Sequence, residues 1–139
     1  MAFKYLEHTS EAKFQADGRD MAEAFENAAL AVFNIMVDTK KVKPVMRKKI
    51  KTQAGTKEEL LFDFVDDLLF IMDSESFLLN KVEKMEYSEK GGKHTISCEL
   101  LGDKAKNYET HGDVKAPTYD SMSIKEGKGK VTITMVVDV

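Results

Sequence analysis

The sequence predicts an α+β fold, with two amphipathic helices packed on a mostly antiparallel β-sheet, in the order ββαβα followed by several strands. Three observations carry that prediction. Two stretches repeat apolar residues at helical spacing, and each follows a capping box. Much of the remainder alternates apolar and polar residues at period two. Glycine-containing breaks separate the later alternating runs.

The elements follow in order. "MAFKYLEH" and "EAKFQADG" read as short strands around the polar break His8-Thr9-Ser10. In the second, Ala12, Phe14 and Ala16 point one way, and Glu11, Lys13, Gln15 and Asp17 the other. Gly18 ends that strand. Asp20 then caps a helix, with Glu23 in the box position. Met21, Ala24, Phe25, Ala28, Ala29, Val32, Phe33 and Met36 form its apolar stripe. This helix is expected to stop near Asp38, before Pro44. "VMRKKIKTQAG" is a basic strand ending at Gly55. Thr56 caps the second helix, with Glu59 in its box, and Leu61, Phe64, Val65, Leu68, Leu69 and Met72 make the stripe. Four strands close the chain. "SFLLNKVEKMEYSEK" turns at Gly91-Gly92 into "HTISCELLG", a polar loop runs from Asp103 to Pro117, and "YDSMSIKEG" meets "KVTITMVVDV" across a Gly127–Gly129 turn.

Composition bounds the function. A chain of 139 residues suggests one domain spanning residues 1–139. With 42% hydrophobic and 32% charged residues it belongs to the ordinary globular class. A net charge of -3 lacks the broad positive field of nucleic-acid binders, so no stable direct nucleic-acid binding is expected. Cys98 is the only cysteine, which excludes an internal disulfide and a multi-cysteine zinc cluster. Its strand spacing marks it as an inert core thiol. No signal peptide and no run of 18 apolar residues is present, so a cytoplasmic protein without a membrane span is expected.

Four features could carry chemistry. Glu59, Asp63, Asp66 and Asp67 lie opposite the apolar stripe of the second helix, where they form a solvated face or a cation site. Lys40, Lys41, Lys43, Arg47, Lys48, Lys49 and Lys51 form a basic run. Lysines there guard an edge strand or meet RNA or an acidic partner, and the run has no aromatic residues to stack bases. The loop "NYETHGDVKAPTYD" gathers His111, Asp113, Lys115, Thr118, Tyr119 and Asp120. Long polar loops of this kind are often functional. Finally, alternation places Asp138 on the polar face beside Thr132 and Thr134, next to the α-carboxylate of Val139. Two carboxylates this close repel unless a cation or proton intervenes. A third, such as Glu11 from the polar face of the early strand, would complete a hard oxygen site for Ca²⁺ or a similar ion. No nucleophile–histidine arrangement, P-loop or metal-binding histidine pair is present.

These residues also carry a resemblance. "HTSEAKFQADGRDMAEAFENAALAVFNIMVD", "VKAPTY" and the "VVDV" end together resemble the archease family, in the same order and spacing and over essentially the whole chain. The resemblance implies a non-enzymatic accessory factor of the GTP-dependent tRNA-splicing RNA ligase. That ligase joins 2′,3′-cyclic phosphate or 3′-phosphate ends to 5′-hydroxyl ends. The factor would promote ligase guanylylation and multiple turnover through a metal-bound acidic tip. The implied metal ligands are Glu11, Asp138 and Val139, with a divalent ion, calcium foremost, as cofactor. Lys115 is the implied activating lysine, with Asp120 and His8 on the partner side. Two residues depart from the family pattern. Glu11 replaces an aspartate, moving the carboxylate by roughly 1.5 Å. Asp120 replaces the histidine that commonly follows Thr-Tyr. The competing readings are a small metal-dependent phosphoester hydrolase using Glu11, Asp113, Asp120 and Asp138, and a chaperone-like interaction module. The first lacks a general-base histidine with a clear partner.

Overall fold

The computed structural model describes residues 2–6 and 11–139. Its elements run β1 (Phe3–Leu6), β2 (Glu11–Gly18), α1 (Met21–Asn34), β3 (Met46–Ala54), α2 (Lys57–Glu75), β4 (Phe77–Lys90), β5 (Lys93–Lys104), β6 (Ala116–Pro117), β7 (Ser123–Gly127) and β8 (Lys130–Asp138). This is the expected α+β order. Single 3-10 turns occupy Thr39–Lys41 and Ala105–Asn107.

Both helices start where the sequence places them. The Asp20 carboxylate accepts the Glu23 N–H at 2.9 Å, and Glu23 reaches back to the Arg19 N–H at 2.9 Å. Thr56 Oγ1 accepts the Glu59 N–H at 3.0 Å. Each cap satisfies backbone donors that a helix start leaves without partners. The end of α1 differs from expectation. It stops at Asn34, four residues short of Asp38. The Asn34 side chain donates to the Leu30 carbonyl and to Thr39 Oγ1, and accepts the Thr39 N–H. This side chain takes the role of the next helical turn, and the chain tightens into 3-10 bonds. At the other helix, α2 ends at Ser76 in the left-handed region, φ 52°.

The strands are antiparallel throughout and divide into two sheets. One has the order β1-β2-β8-β6, with β7 also pairing β8. The other has the order β3-β5-β4. Gly91 and Gly92, at φ 60° and 78°, give the β4–β5 hairpin the paired positive φ that a tight turn matching strand twist requires. The run expected as one strand from Tyr119 is shorter. It starts at Ser123, because Tyr119 to Met122 form a turn closed by the Met122 N–H on the Tyr119 carbonyl, with Ser121 at φ 55°.

The helices join the two sheets through one core. α1 packs on β1, β2 and β8 of the first sheet and on β4 of the second, whereas α2 packs on β3, β4, β5, β6 and β7. They meet through Phe25 and Phe64, whose ring centroids lie 5.6 Å apart. Cys98 is 5% exposed, and burial pushes its thiol up to about 12, the behaviour of an inert core residue. β8 is the central strand of its sheet, and its C-terminal end positions the candidate site.

Candidate acidic tip

β8 is paired on both sides as it reaches its last residues. On one side Asp138 stands directly opposite Glu11 of β2, the final step of an eight-residue register. Directly opposed residues in an antiparallel pair point to the same face, with Cβ atoms roughly 5 Å apart. Glu11 is half-buried and Asp138 exposed. Two carboxylates are therefore held together by strand register. On the other side Asp138 faces Ala116 and Val137 faces Pro117. Ala116 is extended, as the following proline biases it to be.

The loop that bears Lys115 is fastened to this strand end. The Lys115 N–H donates to the Asp138 carbonyl at 2.8 Å. Thr118 donates twice to the Val136 carbonyl, through its N–H at 3.2 Å and its Oγ1 at 2.7 Å. Further back, the His111 N–H donates to the Met36 carbonyl at 2.9 Å. Gly112 crosses so close that a Cβ there would lie 2.7 Å from the Ile35 carbonyl oxygen. The long loop is thus anchored at two ends: to the turn after α1 and to the end of β8. Lys115 itself is exposed beside the Glu11–Asp138 pair, a mobile cation on a fixed backbone.

The predicted site residues divide accordingly. Glu11, Asp138 and the Lys115 backbone come together, and Val139 follows, 43% exposed. Asp120 is exposed in the turn beyond β6, its N–H 3.3 Å from Thr118 Oγ1. His111 belongs to the α1 end of the loop. His8 lies outside the described residues. On the outer face of β2, Lys13 follows Glu11 by two positions and stands opposite Val136. The alternation of "EAKFQADG" is the signal that places it there. The double clamp by Thr118 had no such signal, since it joins residues far apart in sequence.

The donors at the tip are hard oxygens of the kind Ca²⁺ takes. Among the described residues no three His, Cys, Asp or Glu side chains gather into a metal-binding group. Glu11 and Asp138 supply two side-chain carboxylates at the tip. The α2 acidic face is not uniform either. Asp67 accepts from Thr52 Oγ1 of β3 at 2.7 Å, so it serves helix–sheet packing. Of the basic run, Lys40 and Lys41 lie in the 3-10 turn and Arg47, Lys48, Lys49 and Lys51 on β3, an edge strand of its sheet, with Lys43 in the link between them. Among the described residues no helix is long and apolar enough to cross a membrane.

Comparison with known proteins bears on the fold and the family. The sequence profile of the archease protein family matches residues 3–139. Protein archease of Sulfurisphaera tokodaii is 37% identical, over 99% of this chain and 98% of the relative. Protein archease of Methanosarcina barkeri is 32% identical, over 99% and 95%. The solution structure of Methanobacterium thermoautotrophicum protein 1598 superposes with a TM-score of 0.85 at 30% identity, covering 99% of each chain. A crystal structure described as an archease, possible chaperone, from Thermotoga maritima shares the fold at TM-score 0.60 and 17% identity. With a profile match across nearly its whole length and relatives above 30% identity, this chain belongs to the archease family.

Proposed function

We propose that this protein is an accessory factor that activates the GTP-dependent tRNA-splicing RNA ligase by promoting its guanylylation, acting through the end of β8. Family membership supports the partner. The observation that carries the site is the register pairing of Glu11 with Asp138, flanked by the tethered Lys115. Opposed carboxylates at an exposed strand end cost stability unless something neutralises them. Asp138, exposed at the strand end and without an ion pair among the described residues, suits a tip whose charge is met by a cation or by a partner. Glu11, Asp138 and the α-carboxylate of Val139 would hold a divalent ion, calcium foremost. Such an ion would neutralise the tip and supply a positive centre for phosphate or carboxylate oxygens.

The chain's own groups have definite tasks in this reading. The Lys115 and Thr118 backbone bonds keep the β8 end ordered, so that the tip is presented rigidly. The Lys115 ammonium, free to move on its stem, meets a phosphate or a partner carboxylate. The test is ligase guanylylation measured with wild-type protein and with Lys115→Ala, with thermal melts alongside. The reading expects stimulation to fall sharply in a protein that still melts normally. Wild-type stimulation by folded Lys115→Ala would remove Lys115 from the site. Phosphoester turnover by the isolated protein would instead favour an enzyme.

A further inference from the structure

One part of the surface is not used by the tip. Tyr119 is 52% exposed and Phe70 is 70% exposed. The Tyr119 ring stacks on Phe62 of α2, with centroids 4.3 Å apart and planes within 8°. Phe62 backs one face of the Tyr119 ring, while the residue as a whole stays half open to solvent. Phe62, Asp66 and Phe70 follow one i, i+4, i+8 ridge of α2. The backbone below Tyr119 is fixed by the two Thr118 bonds to Val136. This is therefore a positioned aromatic platform.

Charge selects what it can receive. Burial first, then the nearby Asp63 and Glu59 carboxylates, raise the Tyr119 hydroxyl above its ordinary value. Asp63 is itself raised, by burial and by its crowding with Asp67, Glu59 and Asp66. Other charges on α2 are engaged: Lys57 pairs with Glu126, and Glu75 with Lys48. Glu59, Asp63 and Asp66 make no ion pair among the described residues. A polyanion such as RNA would be repelled here. A flat cation would gain both from the ring and from the carboxylates.

We propose that the Phe62–Tyr119 stack, the Asp66–Phe70 ridge and the flanking Glu59 and Asp63 form a docking surface for an arginine-bearing segment of a protein partner. A guanidinium is planar, stacks on an aromatic face and pairs bidentately with a carboxylate, whereas an ammonium does neither as well. Tyr119 lies three residues beyond Ala116, the register partner of Asp138. The surface therefore adjoins the tip. Naming the ligase as the partner rests on the function proposed above, whereas the preference for arginine does not.

The test has two arms. Hexa-arginine and hexa-lysine peptides are titrated into the protein while the Tyr119 ring signals are followed by NMR, in wild type and in Tyr119→Leu. The arginine peptide is expected to bind at least about fivefold tighter and to shift the ring. Tyr119→Leu should abolish that preference without lowering the melting temperature. Equal affinity for the two peptides, or an arginine preference that survives in Tyr119→Leu, overturns the proposal. In the second arm, ligase affinity is expected to drop about tenfold in Tyr119→Leu. Full ligase affinity in Tyr119→Leu overturns the assignment of the ligase to this surface. Tyr119-dependent ligase binding without any stimulation of guanylylation leaves the docking surface standing and counts against the proposed function alone.

Discussion

Two pairs of acidic residues face each other across antiparallel strands, Glu83 with Glu99 on β4–β5 and Glu11 with Asp138 on β2–β8. The register geometry is the same, and the places in the fold are not. Arg47 bonds Glu99 and reaches Glu83 at 3.4 Å. Lys84 stands 3.5 Å from Glu99, and Lys81 3.4 Å from Glu83. A register shift between Glu83 and Glu86 contains Lys84 at φ 53°, a bulge that re-aims its side chain. The Arg47 hydrogen bond, aided by Lys84, holds the Glu99 carboxyl below its ordinary value against the opposing effect of burial. By contrast the Asp138 side chain has no ion pair among the described residues. One acidic pair is answered inside the protein and serves the fold. The other is presented at a strand end.

The largest effect should come from blocking that presentation. Extending the chain past Val139 turns its carboxylate into a neutral peptide group and covers the tip. Stimulation of ligase guanylylation is expected to fall at least about tenfold while the thermal melt stays unchanged. A C-terminally tagged protein with full stimulation would break the comparison. Lys115→Arg sharpens it. Restoration is expected to be partial relative to wild type, because the two cations differ in shape and hydration. Guanylylation rates at equal protein concentrations measure this.

Arg47→Met tests the other pair. It leaves Glu83 opposite Glu99 without its shared cation, and the melting temperature is expected to fall by roughly 5 °C. Stimulation per folded molecule should not change. The pH dependence follows from the sign of the shift. Because the folded Glu99 value is lowered, its contribution is complete above the ordinary glutamate value of about 4.3. That contribution is lost as pH falls through the folded value. Melts of wild type and Arg47→Met should therefore converge in acid. A gap that persists below that range would contradict the assignment. The smallest effect is expected from calcium. At a few times its Kd, a bound ion contributes about 0.8 kcal/mol, a rise of roughly 3 °C. The rise should be absent in Asp138→Asn, as read by scanning calorimetry.

Local chemistry made much of this legible in the sequence. Asp20 with Glu23, and Thr56 with Glu59, declare both helix starts, because a cap acts within four residues. The end of α1 was not legible, since Asn34 closes it by bonding forward to Thr39. Nor was the division into two sheets, which depends on which distant strands pair. Alternation put Glu11 and Asp138 each on a polar face. Only the β2–β8 register sets them opposite each other, a meeting that the polar strand faces suggested and the family resemblance implied. The use of Asp67 by Thr52, and of Tyr119 by Phe62, likewise needed the packed helix.

The central claim is that the carboxylate pair at the end of β8 acts on the ligase rather than on the fold. Its most direct test is ligase guanylylation with wild type and Asp138→Asn at equal protein and metal concentrations, with a thermal melt of each. The expected result is a loss of stimulation of about tenfold or more, in a protein that, with metal removed by a chelator, melts within about 1 °C of wild type. Wild-type stimulation by a folded Asp138→Asn protein would contradict the account.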